Sequence, residues 1–340
     1  RTTEDSWSNI ARLKCRIANE SHVGLTATSR RFAMGGGNTA AGLESVLRLS
    51  DDYALTAFGA LTYTDEPDDE ALSASVPEVT FEASGKTITA DLDGQSFVGH
   101  VLKATLLRQS RGLNYNLSLQ DYSPGFRADN SAIFSNDGRL AHALGRYDFL
   151  FTDHPLLTRV SPGLYVWRKI DYDGRLKDTG VRPEVNLALA RQTTLNLGGF
   201  LFNRERFHDV EFDDARALWM SASTRPSEHW AAWVYLNRGK SINRFGEPGA
   251  VHNPLALVPT LDFSFGLSVQ PTDRLANETQ LNTIRLTRES GGQLVVGQQI
   301  LRNGLRFQYS RQLLLRLVAE VNHVRRAVAS NRYESDTALA

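Results

Sequence analysis

Leu261-Asp262-Phe263-Ser264-Phe265-Gly266-Leu267-Ser268-Val269 places an apolar side chain at every odd position and none at an even one. That is the period of a strand with one oily and one wet face; on a helix the same residues would wind around the whole cylinder. Leu113-Asn114-Tyr115-Asn116-Leu117-Ser118-Leu119-Gln120 repeats the pattern. Val185 to Leu189 alternates against Glu184 and Asn186, and Leu195 to Leu201 against Thr194 and Asn196. Leu313, Leu315, Leu317, Ala319 and Val321 share one side, with Arg316, Glu320 and Asn322 on the other. Leu164-Tyr165-Val166-Trp167 is apolar on both sides, which leaves its faces unassigned.

Tight polar turns separate pairs of such runs at Asn19-Glu20, Ser50-Asp51-Asp52, Ser110-Arg111-Gly112, Thr152 to Pro155, Arg191-Gln192-Thr193, Arg225-Pro226-Ser227, Gln270 to Asp273 and Ser310-Arg311-Gln312. Longer links rich in Gly, Asp and Asn alternate with them: Met34–Thr39, Thr64–Gln95, Asp121–Gly138, Asp171–Gly180, Asn203–Asp214, Asn237–Asn253, Arg288–Gly292 and Arg325–Asp336. Strict alternation describes an up-and-down sheet trimmed at one end and elaborated at the other. The turns predict about sixteen strands, with Thr337 to Ala340 opening another. A meander of that size disposes of its edges by closing into a barrel. At this width side chains cannot fill the interior, so water does, and the apolar face must point outward into lipid. Aromatic rings near strand ends (Tyr53, Tyr63, Tyr122, Trp167, Phe207, Trp230, Phe307, Tyr309) suit the two membrane interfaces. A propeller would show a repeat near forty residues, and stacked sandwiches would not alternate short and long connections.

Composition agrees without deciding. The chain has 340 residues, 38 Lys+Arg against 38 Asp+Glu, eight His, one Cys and two Met, with a mean hydropathy of -0.32. Zero formal net charge offers phosphate no long-range attraction, so nucleic acid is not an expected partner. No apolar run reaches the length of a spanning helix, whereas a strand crosses with about ten residues. Cys15 has no second cysteine to pair with, which suits an oxidising compartment. The whole of 1–340 reads as a single barrel domain that opens in mid-phrase at Arg1. It is expected to lack an N-terminal periplasmic domain and some C-terminal strands.

The sequence holds no His-Glu-x-x-His, Cys-x-x-Cys or Gly-x-Ser-x-Gly, and its histidines are dispersed. Neither a catalytic residue nor a metal ligand is assigned, and the expectation is that the protein is not an enzyme and carries no cofactor. Gly35-Gly36-Gly37 with Gly42 is a flexible turn; Leu43-Glu44 stands where a phosphate loop needs Lys and Ser or Thr. The acidic loops Asp65, Glu66, Asp68, Asp69, Glu70 and Glu211, Asp213, Asp214 offer oxygen ligands for Ca²⁺, but their spacing matches no EF-hand and solvated charge is the simpler reading. Asp171-Tyr172-Asp173-Gly174 is a hairpin turn.

Other residues suggest a family. Gly24 and Thr26 with Ser29-Arg30-Arg31, then Gly36-Gly37-Asn38-Thr39-Ala40-Ala41-Gly42-Leu43 and Leu47-Arg48-Leu49, resemble the opening of a bacterial outer-membrane β-barrel domain that has no established activity. Asp121-Tyr122-Ser123-Pro124-Gly125-Phe126-Arg127-Ala128-Asp129 is similar to its most specific motif, and Ser310-Arg311 with Leu313, Leu315 and Arg316-Leu317 to its later part. The sequence departs from the family after Asp129, where Asn130-Ser131-Ala132-Ile133-Phe134 replaces a Gly-Phe-Val-Pro-Arg-like phrase. The resemblance spans roughly residues 10–330 and implies the outer membrane of a Gram-negative cell. In that family the barrel usually follows a domain similar to family-9 carbohydrate-binding modules, which implies saccharide as a ligand class.

The expected function is a passive channel or uptake porin for small polar solutes. The alternative is a plugged scaffold barrel that anchors a periplasmic domain or docks in an envelope complex. Outer-membrane lipid is the expected surround. Lumen-lining candidates are Arg48, Lys103, Asn114, Asn116, Arg146, Asp148, Glu184, Asp262, Arg316 and Glu320. In the Asp121–Asp129 loop, Pro124 and Gly125 force a turn, Phe126 offers an anchor, and Arg127 with Asp129 can pair to fold the loop inward as a latch or plug.

Overall fold

The structure, a computed structural model, describes residues 5–339 except 19, 34, 69–79, 84, 90–92, 131–135, 245, 247–248, 251–252, 290–291 and 330–331. None of the described residues is helical. The chain forms a 20-stranded sheet and a separate two-stranded one, and it divides into two compact units, Arg1–Gly145 with Val166–Thr179, and Arg146–Tyr165 with Gly180–Ala340.

In the first unit β1 (Ser6–Ala18), β2 (Ser21–Phe32), β3 (Gly37–Arg48) and β4 (Tyr53–Asp65) form an antiparallel meander. A hairpin of β5 (Thr80–Ala83) and β6 (Lys86–Thr89) interrupts the next connection, and the meander resumes with β7 (Ser96–Arg108) and β8 (Leu113–Tyr122). β9 (Gly138–Tyr147) and the end of β11 (Leu157–Ile170) pair in the same unit. Register keeps the faces separate: Asn38, Thr64 and Phe97 share a row, as do Glu44, Phe58, Lys103 and Gln120. The other face carries Leu25 beside Leu43, and Leu61 beside His100.

The second unit begins with β10 (Phe149–Leu150) against β11. It continues through β12 (Leu176–Leu189), β13 (Thr193–Phe200), β16 (Ala217–Ser227), β17 (Trp230–Ile242), β18 (Leu257–Thr272), β19 (Leu275–Thr287), β20 (Leu294–Gln308), β21 (Leu314–Ala329) and β22 (Arg332–Leu339). β14 (Phe202–Phe207) and β15 (Val210–Asp213) form a hairpin between β13 and β16. Polar side chains line one face in register, and several bond across strands. Asn186 bonds Asn196, whose amide donates to Ser221 at 3.0 Å, and Thr194 bonds Ser223 at 2.8 Å. The quoted run lies in β18 with Asp262 and Ser264 on this face, opposite Asn237 and Tyr235. Tyr165 is on it too, beneath the Arg182 guanidinium at 4.8 Å, while Leu164 is exposed; this settles the run whose sides alternation leaves open.

Burial is inverted relative to a soluble sheet. Leu43, Leu102, Leu119, Leu218 and Leu317 are each more than half exposed on the apolar face. Among the described residues the clusters of buried apolar side chains are small: Ile88 with Phe97 and Phe81, Phe212 with Ile242 and Leu255, and Val258 with Leu286, Val295 and Val296. A continuous apolar face on that scale needs a non-aqueous partner.

The strict short/long alternation is corrected at one end. Segments 66–95, 123–137, 201–216 and 243–256 are long, but the connections at 33–36, 171–175 and 288–293 are tight, and β21 runs on to Ala329. The link expected at Arg325–Asp336 is mostly ladder, with Arg325 opposite Ser335 and Arg326 opposite Glu334. Charged residues at a hairpin tip satisfy a ladder as well as apolar ones do, so polarity alone overstates loop length. The expected strand start at Thr337 therefore moves back to Arg332. Asp171–Gly174 does form the tight turn, with Gly174 at φ 80° and its N–H donating to the Asp171 carbonyl at 3.2 Å.

Candidate functional site

From Ser123 to Asp129 the Asp121–Asp129 segment lies on the polar face of β3, β4 and β7, whereas Asp121 stands beside Leu102 on the other face. Its path begins where Ser123 and His100 exchange bonds: the Ser123 N–H donates to the His100 carbonyl at 3.0 Å, and the His100 N–H to Ser123 Oγ at 2.7 Å. Pro124 and Gly125 then turn the chain, and the Phe126 N–H closes back on the Ser123 carbonyl at 3.1 Å. The backbone of Gly125 and Phe126 rests on Gly99; a Cβ there would stand 2.3 Å from the Gly125 carbonyl atoms and from Phe126 Cα. Only glycine leaves room for that approach. Phe126 is buried, edge-on to Tyr122 at 5.9 Å.

Asn38 holds the next residues from both ends of its amide. Its Nδ2 donates to the Arg127 carbonyl and to Thr64 Oγ1, each at 2.9 Å, and its Oδ1 accepts from the Asp129 N–H at 3.2 Å. Arg127 meets Asp129 at 2.7 Å, the pairing expected from sequence, and also Glu66 at 2.9 Å. Glu66 leaves only 3% of its side chain exposed, and its second oxygen has no hydrogen-bond partner among the described residues. Burial pushes its carboxyl up to about 7, with Asp93 and Asp129 acting in the same direction and Arg127 opposing.

A pH dependence follows. In the open loop the group would titrate near an ordinary carboxyl value of about 4.3, so closing the latch takes up a proton between there and about 7. The contribution to closure is full below that window, is lost as pH rises through it, and is level above it. Hydrogen-exchange protection of the Ser123–Asp129 amides, taken relative to Glu66→Gln, should fall from pH 5 to pH 8. A wild-type-to-variant ratio independent of pH would refute the assignment.

The latch roofs a cavity of about 580 Å³ bounded by β2, β3, β4, β7, β8, β9 and β11. Small residues make the room: Ala40, Gly42 and Ala60 line it where larger side chains would fill it. Lys103 lies over the Tyr122 ring at 5.0 Å, and both line the cavity with Phe58, Gln120 and Lys169. The β5–β6 hairpin covers the same face farther out, where Ile88 and Phe81 pack on Phe97.

Of the lumen candidates, only Lys103 lines this cavity. Arg48 bonds the Asp51 carbonyl, and Asn114 accepts from the Ser110 N–H at 2.7 Å; both secure tight turns. Asn116 is on the polar face opposite Leu107. Arg146 pairs with Asp148 at 3.5 Å, Glu184 with Arg182 at 3.3 Å and Glu320 with Arg302 at 3.9 Å. Asp262 stands opposite Asn237, and Arg316 opposite Arg306. Arg146, Asp148, Glu184 and Glu320 are thus engaged in ion pairs of the wall, whereas Arg316 faces a like charge across the ladder. Of the girdle aromatics, Tyr63, Trp230, Phe307 and Tyr309 are exposed, whereas Tyr122 lines the cavity and Phe207 packs with Phe212. Tyr122 is drawn inward because its row in β8 continues the polar face.

The acids of the second acidic loop, Glu211, Asp213 and Asp214, turn to cations of the protein itself. Asp213, Glu211 and Asp214 meet Arg204, Arg206 and Arg216, and Asp65 accepts from Ser96. Asp69 and Glu70 lie outside the described residues. Sequence reading missed the roles of Asn38, Gly99, Tyr122 and Lys169. A glycine inside the strand Ser96–Arg108 was the available signal for a close backbone approach.

No family model matches the chain, and no curated protein matches it. Solved structures do. The ferric enterobactin receptor PfeA from Pseudomonas aeruginosa aligns at TM-score 0.52 and 9% identity over 100% of this chain and 66% of its own. The ferric citrate transporter FecA aligns at 0.52 and 8% over 96% and 61%, and the outer membrane transporter YddB from Escherichia coli at 0.51 and 8% over 94% and 55%. The chain thus spans less than two thirds of each. At such identities the likeness establishes fold. Together with the exposed apolar face and trimmed turns, it makes this chain a transmembrane β-barrel of the bacterial outer membrane.

Proposed function

We propose that this barrel imports a solute that it first binds beneath its own extracellular loops, so that the mouth is gated rather than permanently open. The observation that carries the reading is the latch. Asn38, Glu66 and Arg127 pin the Asp121–Asp129 loop onto the inner face, where a passive pore would keep clear water. The receptors and transporters that share the fold support import as the general activity.

Planar-bilayer recording of the full-length protein tests this. Wild type should give rare, small steps, and Arg127→Ala, which frees the loop from Glu66 and Asp129, should give frequent larger ones. Steady large steps from wild type, with liposome swelling in disaccharide, would establish instead the passive channel for small polar solutes, saccharides included. Silence from both proteins would favour a plugged scaffold.

A further inference from the structure

We propose that a furrow on the apolar face of the first unit is a binding site for one membrane lipid with a phosphate in its headgroup. The site lies on the face opposite the latch and does not depend on the uptake reading. β3, β4, β7, β8, β9 and β11 contribute to the furrow, whose volume is about 880 Å³. Gly59, Ala104 and Ala141 keep it open between Leu43, Leu102 and Leu119, each of them more than half exposed. It runs on into a second depression of about 570 Å³, with Ala104, Leu119, Ala141 and Arg168 common to both and Leu106, Leu117 and Val166 continuing the lining. From Leu102 to Leu106 the strand advances about 13 Å, which gives an extended hydrocarbon chain room to lie.

Toward the long connections 66–95 and 123–137 the same face stops being apolar. His100 stands opposite Leu61 and Asp121 opposite Leu102, where alternation would otherwise continue hydrocarbon. Asp121 and Tyr172 fix Arg139: its Nε is 3.3 Å from the Asp121 carboxylate, and its guanidinium lies over the Tyr172 ring at 4.2 Å. The Tyr172 hydroxyl donates to the same carboxylate and meets His100 Nε2 at 3.0 Å. Arg168, by contrast, is exposed, and its guanidinium has neither a hydrogen bond nor an ion pair among the described residues. Arg139 and Arg168 both line the furrow, and Asp121 offsets only one of them. Glu44 and Lys103 border it as well, but their side chains go to the other face, to Arg12 and over Tyr122. A phosphate matches this end of the furrow, because guanidinium forks bond its oxygens in pairs; a neutral headgroup would leave Arg168 unmatched. Since the apolar face meets lipid, the occupant comes from the membrane, its chain in the furrow and its phosphate on the arginines.

Native mass spectrometry of the full-length protein in detergent micelles tests the assignment with dimyristoyl phosphatidic acid and with dimyristoylglycerol, which has the same chains and no phosphate. Phosphatidic acid should be retained as a single adduct and bind roughly tenfold more tightly than the diacylglycerol, as a charge-assisted hydrogen bond implies. Arg168→Gln should weaken phosphatidic acid by roughly tenfold, Arg168→Lys should keep most of the binding, and Ala104→Leu, which fills the furrow, should weaken both lipids. Arg31→Gln is the control: Arg31 is exposed on the same face opposite Trp7 and outside the furrow, so its loss should leave binding unchanged. Heat-modifiable gel migration confirms that each variant is a folded barrel. Equal retention of the two lipids, or equal losses in Arg168→Gln and Arg31→Gln, would overturn the proposal. So would displacement of the lipid by millimolar inorganic phosphate, which would assign the arginines to a free anion.

Discussion

Gly99→Val should release the latch while leaving the barrel assembled. The new Cβ would stand 2.3 Å from the backbone of Gly125 and Phe126, a separation that neither side can relieve by rotating a side chain. Overpacking of this kind costs about 1–3 kcal/mol when atoms can yield, and here the simplest yield is for the loop to leave. Its departure breaks the Asn38 bonds to Arg127 and Asp129 and exposes Glu66 to water. The β4–β7 and β7–β8 ladders do not depend on it. Gly99→Val should therefore convert rare conductance steps into frequent ones and raise hydrogen exchange across Ser123–Asp129 by roughly tenfold or more. Gly145→Val, with nothing within 4 Å of its added Cβ, is the matched control and should behave as wild type. Wild-type exchange in Gly99→Val would mean the loop does not rest on this strand.

Leu43→Arg should compromise insertion. Leu43 is in the middle of β3 on the outward face, 66% exposed, between Leu25 and Gly59 on the neighbouring strands. An arginine facing lipid near the midplane costs about 2–4 kcal/mol. Thr56→Arg, an exposed position on the inward face of β4, should cost little, because water already surrounds it. Urea unfolding of both variants in liposomes reads the difference directly. Equal tolerance of the two would contradict the assignment of faces.

Much of this was legible before folding because alternation is local. Whether Asp262 and Ser264 fall opposite Phe263 and Phe265 depends on nothing but the pleat, and a wide sheet with one apolar face has few ways to be stable. The loop motif was legible for the same reason: Arg127 and Asp129 are near neighbours, and Pro124-Gly125 turns wherever it stands. Loop lengths were less so. The Arg325–Asp336 hairpin shows that a charged strand tip and a loop share a composition.

The site itself needed contacts between residues far apart in the chain. Asn38, Glu66, Gly99 and Arg127 belong to four separate segments, and nothing local to any of them announces the others. Lys169 stands two residues beyond the run whose sides alternation left open, and it joins Lys103 at one cavity only when β11 pairs beside β9. The sequence by itself determined strand, face and membrane, because each follows from period-two patterning within a single strand. The tertiary structure alone decided that a loop returns to cover the inner wall and that two lysines line one cavity, because strand register and loop return are properties of the folded meander rather than of any one stretch.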